Sequence, residues 1–174
     1  ASSRALVLLD GVPQADPFGG WVAWSAFDSV PLKGARITRG GGSGVDGPGA
    51  LGGTISLSSD MLDGGAALLS GGSRGASDVV GGFGRDLGDG GVSLDGRWSR
   101  GDGFVPIRSA DRGSVDRAAP YDQAGLGLRA RFGAGDNRRV EVAVRGWRDR
   151  RTRGTDFSRS AVDGLDASIR YILD

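Results

Sequence analysis

From residue 60 onward, apolar and polar residues alternate in runs of about ten, and this pattern limits the folds open to the chain. Strict alternation places successive side chains on opposite faces of a β-strand. The apolar members of four such runs are Val92, Leu94, Gly96 and Trp98; Leu126, Leu128, Ala130 and Phe132; Val140, Val142 and Val144; and Leu165, Ala167, Ile169, Tyr171 and Leu173. Polar residues, many of them Arg or Asp, occupy most alternate positions. The pattern predicts strands with one apolar face and one charged face.

The connections between these runs alternate in length. Residues 86–90 and 133–137 are short and turn-like, whereas residues 102–122 and 148–163 are predicted to form long polar loops. Short turns on one side and long loops on the other are typical of an outer-membrane β-barrel. A water-soluble β-sandwich also alternates, so periodicity alone leaves both folds open.

The composition excludes several classes of function. The 174 residues include 34 Gly but no Cys and no His. Disulfides, thiolate zinc sites and histidine-dependent catalytic triads are therefore excluded. A net charge of +1 gives no overall field that would attract nucleic acid. We accordingly expect no nucleic-acid partner.

Residues 1–59 differ in character, because short apolar strands alternate there with glycine loops. Residues 6–9 form a continuous apolar run, which predicts a strand buried on both faces. Residues 34–39 and 54–58 also read as strands. Phe18, Trp21 and Trp24 lie in a loop, where they either cap a small core or form an exposed platform for a ligand.

Two glycine motifs have alternative interpretations. Residues 47–52 match the G-x-G-x-x-G dinucleotide motif, but a strand follows them where a helix is required. Residues 41–46 and 81–86 match the first six positions of the calcium β-roll repeat. Both matches lack the large apolar residue of that repeat, and they are not in tandem, which disfavours a β-roll.

Charge clusters suggest two further sites. Asp102, Asp111, Asp116 and Asp122 could bind calcium, or they could be solvated and pair with nearby arginines, which we favour because EF-hand spacing is missing. These nearby arginines are Arg108, Arg112 and Arg117.

A second charge cluster consists of arginines alone: Arg145, Arg148, Arg150, Arg151 and Arg153. At the rim of a barrel the second cluster would meet anionic headgroups or ligands, although simple solvation is the commoner explanation.

Four motifs in the first 59 residues together resemble a known family. They are VLLDGVP at residues 7–13, DPFGGWV at 16–22, ITRGGGS at 37–43 and GPGALGGTI at 47–55. Their order and spacing resemble the carboxyl-terminal half of the plug domain of a TonB-dependent outer-membrane receptor. Residues 60–174 resemble the first barrel strands of that family, about six in number.

The resemblance implies a mainly β fold. A partial plug domain, small and mixed α/β, would occupy residues 1–59, and antiparallel transmembrane strands of an incomplete barrel would occupy residues 60–174. The implied function is energy-coupled uptake of a scarce nutrient across the outer membrane of a Gram-negative bacterium. A ferric siderophore is the first candidate substrate, and cobalamin, haem and oligosaccharides are alternatives. Such a receptor is not an enzyme and needs no cofactor or resident metal.

The resemblance also implies sites and partners. Asp16, Phe18, Trp21 and Trp24 correspond to an apical plug loop that can face the substrate, and Arg39 corresponds to an arginine that pairs with barrel acids. The implied partners are outer-membrane lipid, a small molecule or metal chelate, and a TonB-type energy-coupling protein. We expect the contact site for that protein to be missing from this chain.

Both ends read as cut within longer elements, so we expect a fragment that by itself neither closes a barrel nor transports. The alternative from another class is a secreted, glycine-rich, calcium-binding β-roll or adhesin.

Overall fold

The structure, a computed structural model, describes residues 5–16, 18–27, 29–40, 49–133 and 137–173. These residues form ten β-strands and two short 3-10 helices, at Trp24–Phe27 and Ser109–Asp111. The strands are β1 (Ala5–Leu9), β2 (Val12–Pro13), β3 (Leu32–Arg39), β4 (Gly53–Ser59), β5 (Gly64–Gly71), β6 (Ser77–Asp86), β7 (Gly90–Gly101), β8 (Tyr121–Gly133), β9 (Arg138–Thr152) and β10 (Arg159–Leu173). The prediction of a mainly β fold is confirmed.

The chain divides into two compact units. The first comprises Ala1–Trp24 and Val30–Met61, and the second comprises Ser25–Ser29 and Leu62–Asp174. The short segment Ser25–Ser29 therefore packs with the later part of the chain, although it interrupts the earlier part in sequence.

The first unit is built on a four-stranded sheet in the order β2-β1-β4-β3. β1 runs parallel to β4 and antiparallel to β2, and β3 runs antiparallel to β4. β1 is a central strand, and Val7 is fully buried between Leu6 and Leu8, which are also buried. This confirms the predicted buried strand at residues 6–9.

The expectation of a mixed α/β arrangement in residues 1–59 is not met in the part of the chain that the structure describes. The described residues of this region contain the 3-10 turn Trp24–Phe27 and no α-helix. The connections are rich in Gly and poor in Glu, Lys and Gln, which are the residues that favour exposed helices. Across the described residues, no helix is both long and apolar enough to span a membrane.

The second unit is a six-stranded antiparallel sheet in the order β10-β9-β8-β7-β6-β5. Its register brings the four predicted apolar sets onto one face, since Leu94 lies opposite Leu128, Leu128 opposite Val144, and Val144 opposite Ala167. The predicted division into an apolar and a charged face is thus confirmed. Each of the edge strands, β5 and β10, is paired on one side within this sheet.

The predicted long loop at residues 148–163 is wrong. β9 continues to Thr152 and β10 begins at Arg159, so the connection is short. The strands extend because their polar residues find partners within the sheet. Asp163 lies opposite Arg148, and Asp122 of β8 forms an ion pair with Arg148 at 3.2 Å.

A tight corner joins β1 to β2 and ties both to the end of β4. Asp10 has φ 51° and Gly11 has φ 82°, so both residues are in the left-handed region. The Asp10 carboxylate accepts hydrogen bonds from the Ser59 backbone N–H at 2.8 Å and from the Ser59 hydroxyl at 2.5 Å. Asp tolerates this conformation better than most residues, and it supplies the acceptors that hold the corner.

We predict that Asp10→Ala lowers the free energy of unfolding by about 2–3 kcal/mol, because it removes both hydrogen bonds and leaves a strained left-handed alanine. Asp10→Asn keeps an acceptor oxygen and tolerates positive φ, so it should cost less than about 1 kcal/mol. Urea unfolding followed by the fluorescence of Trp21 and Trp24 measures both variants. Equal losses for the two would contradict the assigned role of the corner.

Candidate functional site

The aromatic loop of the first unit is organised by Asp16. An isolated bridge between Ala15 and Val22 closes the loop, and the Asp16 N–H donates to the Trp21 carbonyl at 2.8 Å. The Asp16 carboxylate accepts from the backbone N–H groups of Phe18 at 3.0 Å and Gly19 at 2.5 Å. This Asx turn gives Asp16 a structural role within the loop.

The aromatic side chains of this region face solvent. Phe18 is 99% exposed, Trp21 is 43% exposed and Trp24 is 55% exposed. Trp21 lies over Gly19, where a Cβ atom would come within 2.6 Å of the Trp21 Cδ1 atom. The three side chains are thus exposed, and their contact with a ligand stays a prediction. Trp24 begins the 3-10 turn that follows the loop.

Arg39 lies apart from the aromatic loop in sequence, at the last position of the edge strand β3. It is exposed, opposite Gly53 in the register, and it forms no ion pair with any described residue. The predicted pairing of Arg39 with barrel acids therefore stays a prediction.

The charged face of the second unit carries a series of ion pairs. Here the charged face means the side of the six-stranded sheet opposite the apolar set around Leu94 and Leu128. Arg97 binds Asp78 through two hydrogen bonds, of 2.8 and 2.9 Å. The other pairs are Arg129 with Asp95 at 3.7 Å, Arg145 with Asp166 at 2.6 Å, Arg151 with Asp149, and Arg170 with Glu141. Each charge thus faces an opposite charge on its own or a neighbouring strand.

Burial on the two faces is the reverse of that in a water-soluble sheet. Asp95 is 3% exposed and Arg145 is 7% exposed, whereas Leu165 and Ile169 on the apolar face are 75% and 77% exposed. Charged residues are rarely this buried unless they are paired, and a contiguous exposed apolar face marks an interaction surface.

The segment Ser25–Ser29 covers part of the charged face. Ala26, Phe27 and Ser29 are all buried. The Arg145 guanidinium lies 5.1 Å from the centre of the Phe27 ring and 5.6 Å from that of Trp147, so this cation is held between two aromatic rings while it pairs with Asp166.

Two glycines of β8 make room beneath this segment. A Cβ atom at Gly125 would lie 3.2 Å from the Ser29 hydroxyl, and one at Gly127 would lie 2.6 Å from an Asp95 carboxylate oxygen. We call Gly125 and Gly127 the glycine seat. The sequence predicts neither this seat nor the buried segment. The available signal is the pair of glycines two residues apart on the charged face of one strand, next to Arg129.

The acidic residues of the loop at 102–122 do not converge. Asp116 accepts from the Gly113 N–H at 2.7 Å, and Asp122 pairs with Arg148. Arg117 pairs with Asp156 at 3.3 Å rather than with an acid of its own loop. Among the described residues, no group of three or more carboxylates is placed to hold a metal ion.

The described parts of the two glycine motifs form neither a β-roll nor a dinucleotide site. Gly81 and Asp86, which bound the second β-roll match, lie in the antiparallel strand β6. Residues 41–46 of the first match lie outside the described residues, as do residues 47–48 of the dinucleotide motif. The remainder of that motif leads into β4, and no helix follows it.

The fold is similar to those of solved proteins described as a copper transporter, a siderophore receptor and a ferric enterobactin receptor, each at low sequence identity. Copper transporter OprC matches with a TM-score of 0.75 at 16% identity, over 99% of this chain and 27% of its own. The siderophore receptor PirA from Acinetobacter baumannii matches with a TM-score of 0.58 at 13% identity, over 87% of this chain and 24% of its own. A mutant of the ferric enterobactin receptor PfeA from Pseudomonas aeruginosa matches with a TM-score of 0.57 at 10% identity, over 98% of this chain and 31% of its own.

These likenesses concern the fold alone. The chain spans about a quarter to a third of the lengths of the three proteins, whose covered shares are 27%, 24% and 31%. No family model matches the sequence, and no curated protein is similar to it.

The glycine seat on β8 gives a stability prediction. Gly127→Ala forces a Cβ atom against the buried Asp95 carboxylate, so it should lower the free energy of unfolding by about 1–3 kcal/mol. Gly146→Ala on β9 is the matched control, since its Cβ atom would be 3.8 Å from the nearest heavy atom, the Leu165 Cδ1. Urea unfolding in a neutral detergent compares the two. An equally large loss of unfolding free energy for Gly146→Ala would show that any glycine in these strands contributes to stability, and would contradict a special role for Gly127.

Proposed function

We propose that this chain forms plug and barrel-strand parts of a TonB-dependent outer-membrane receptor that takes up a scarce nutrient in a Gram-negative bacterium. The observation that carries the proposal is the reversed sheet of the second unit, with its apolar face exposed and part of its charged face buried. In water such a face is unfavourable, by about 25 cal/mol for each Å² of apolar surface left exposed. Contact with lipid chains removes the same face from water, so the cost does not arise.

The dimensions of the apolar face support a membrane position. On β7 the stretch from Gly90, opposite Phe132, to Trp98, opposite Ala124, is nine residues long. A transmembrane strand needs about 9–11 residues. Aromatic residues of the apolar set stand near both ends, with Phe132 and Tyr171 toward the short turns and Trp98 toward the longer connections. Aromatic girdles of this kind flank the apolar band of outer-membrane barrels.

The charged face then lines an interior. Ion pairs such as Arg97 with Asp78 neutralise charges that would otherwise be expensive to cover. Transport makes and breaks no bond in the substrate, so these residues need no catalytic role.

Ser25–Ser29 is the segment of residues 1–59 that packs with the later strands. The segment lies in the chain between the two stretches of the first unit and packs on the charged face of the sheet. Within the second unit, the stacked and ion-paired Arg145 is the contact that we expect to hold this segment in place.

The first proposed substrate is a metal chelate, a ferric siderophore; cobalamin, haem and oligosaccharides are the alternatives. The aromatic platform of Phe18, Trp21 and Trp24 suits a ligand with apolar or aromatic parts. Proteins of the same fold are described as a copper transporter and as receptors for siderophores, ferric enterobactin among them.

The alternative of a secreted calcium β-roll has less support. A β-roll stacks consecutive parallel turns, whereas the second candidate repeat lies in the antiparallel strand β6. Calcium titration followed by circular dichroism distinguishes the two, because a β-roll should gain structure when calcium binds.

The membrane proposal predicts which tryptophan meets lipid. Trp98 is on the apolar face and Trp147 is on the charged face beneath Arg145. We expect brominated acyl chains in mixed micelles of phospholipid and neutral detergent to quench a variant that retains Trp98 alone. A variant that retains Trp147 alone should be quenched several-fold less. The other tryptophans are replaced by Phe in each variant.

The two single-tryptophan variants control for each other, because both contain the same chain in the same micelle. Equal quenching of Trp98 and Trp147, or none for Trp98, would contradict the assignment of the apolar face to lipid.

The aromatic platform gives a separate prediction. Ferric siderophores should quench the fluorescence of Trp21 and Trp24, and the double variant Trp21→Ala, Trp24→Ala should weaken binding by about 10-fold or more, since each lost aromatic contact costs about 0.5–1.5 kcal/mol beyond its buried area. Titration with a panel of siderophores and with copper ions measures this. Trp147→Phe is the control. Unchanged binding by the double variant would remove the loop from the substrate site.

A further inference from the structure

A group of arginines borders the apolar face of the second unit beyond Trp98. We call Arg100, Arg148 and Arg150, together with Asp122, the arginine rim. All four belong to the same face as the apolar set, because Arg100 lies two residues beyond Trp98 on β7 and opposite Asp122, which in turn lies opposite Arg150. The rim thus crosses β7, β8 and β9 in one row.

The geometry of the rim leaves cationic groups available. Neighbouring strands are about 4.8 Å apart, so the backbones at Arg100 and Arg150 are separated by about 10 Å across Asp122. Asp122 pairs with Arg148 at 3.2 Å. Arg100 and Arg150 are exposed, and no described residue forms an ion pair with either.

The adjoining strand adds charges of both signs. On β10, Asp163 lies opposite Arg148, and Arg159 lies further along the same face. With these included, the group has four arginines and two aspartates, a net charge of +2. At the opposite end of the apolar face, the outward-facing arginines are Arg85 and Arg138 on different, non-adjacent strands. Among the described residues, the row of facing charges is therefore specific to the Trp98 end.

Arginine binds phosphate oxygens through paired N–H donors, whereas lysine offers only a point charge. The rim also adjoins apolar surface directly, since the Arg100 guanidinium lies 5.9 Å from the centre of the Trp98 ring. A free anion would require the arginines alone. A ligand that carries phosphate on an apolar body would use both the arginines and the apolar face beside them.

We propose that the arginine rim binds the phosphate group of an anionic lipid whose acyl chains pack on the apolar face. Arg100 and Arg150 contact the phosphate from either side, and Asp122 holds Arg148 beside them. The inference rests on the proposed membrane position of the apolar face, and it adds a preference for one class of lipid at one end of that face.

The test uses the full chain with Trp98 retained and the other tryptophans replaced by Phe. The chain is placed in mixed micelles of neutral detergent with equal amounts of phosphatidylglycerol and phosphatidylcholine, and one lipid at a time is brominated. We expect brominated phosphatidylglycerol to quench Trp98 more strongly than brominated phosphatidylcholine does. In Arg100→Gln, Arg150→Gln the preference should fall by about fivefold for each arginine removed.

The matched control is Arg108→Gln, Arg153→Gln, which removes the same charge from exposed positions outside the strands. It should keep the preference. Equal quenching by the two lipids in the original chain would overturn the proposal while leaving the membrane position intact, whereas no quenching by either lipid would overturn both. Loss of the preference on addition of inorganic phosphate, but not of sodium chloride at equal ionic strength, would assign the rim to a free anion and would also overturn it.

Discussion

Cross-strand pairing of charges on one face of the six-stranded sheet is the interaction on which the second unit depends. A strand that exposes Leu165 and Ile169 on one face must turn its other residues to the opposite face, and here those residues include Asp166 and Arg170. Covering them without partners would cost several kcal/mol for each charge. The register solves this by placing opposite charges next to one another, as in Arg97 with Asp78 and Arg145 with Asp166. The same register aligns the apolar residues, so both faces follow from one set of strand pairings.

Glycine gives this sheet its capacity to accept another segment. Gly125 and Gly127 leave space on the charged face of β8, and the side chains of Ser29 and Asp95 occupy it. Arg145 completes the seat by stacking on Phe27. A chain segment that is distant in sequence therefore packs against the sheet through the contact of Arg145 with Phe27, in the space that the two glycines leave.

The fold was more predictable than the site. Alternation in residues 92–98 and 126–132 identified the strands and assigned each residue to the correct face, because the side-chain period of a β-strand is two whatever the surroundings. The extent of β9 and β10 was missed, because Arg148 and Asp163 resemble loop residues until each is seen opposite a charge of the other sign. The sequence leaves two alternatives for the loop with Phe18 and Trp21; the structure shows that both side chains are exposed, and a ligand contact stays a prediction. The segment around Phe27 carried no signal of its own, since its importance lies in what it contacts.

The sequence by itself determined local periodicity, the exclusion of thiol and imidazole chemistry, and the positions of the turns where glycine or aspartate can adopt positive φ. These properties depend on single residues and their near neighbours. The tertiary structure alone decided that part of the charged face is buried while the apolar face is exposed, that Ser25–Ser29 packs with the later unit, and that Arg100, Asp122 and Arg150 form one row. These depend on strand order and register, which bring together residues that are far apart in the chain and that no local pattern connects.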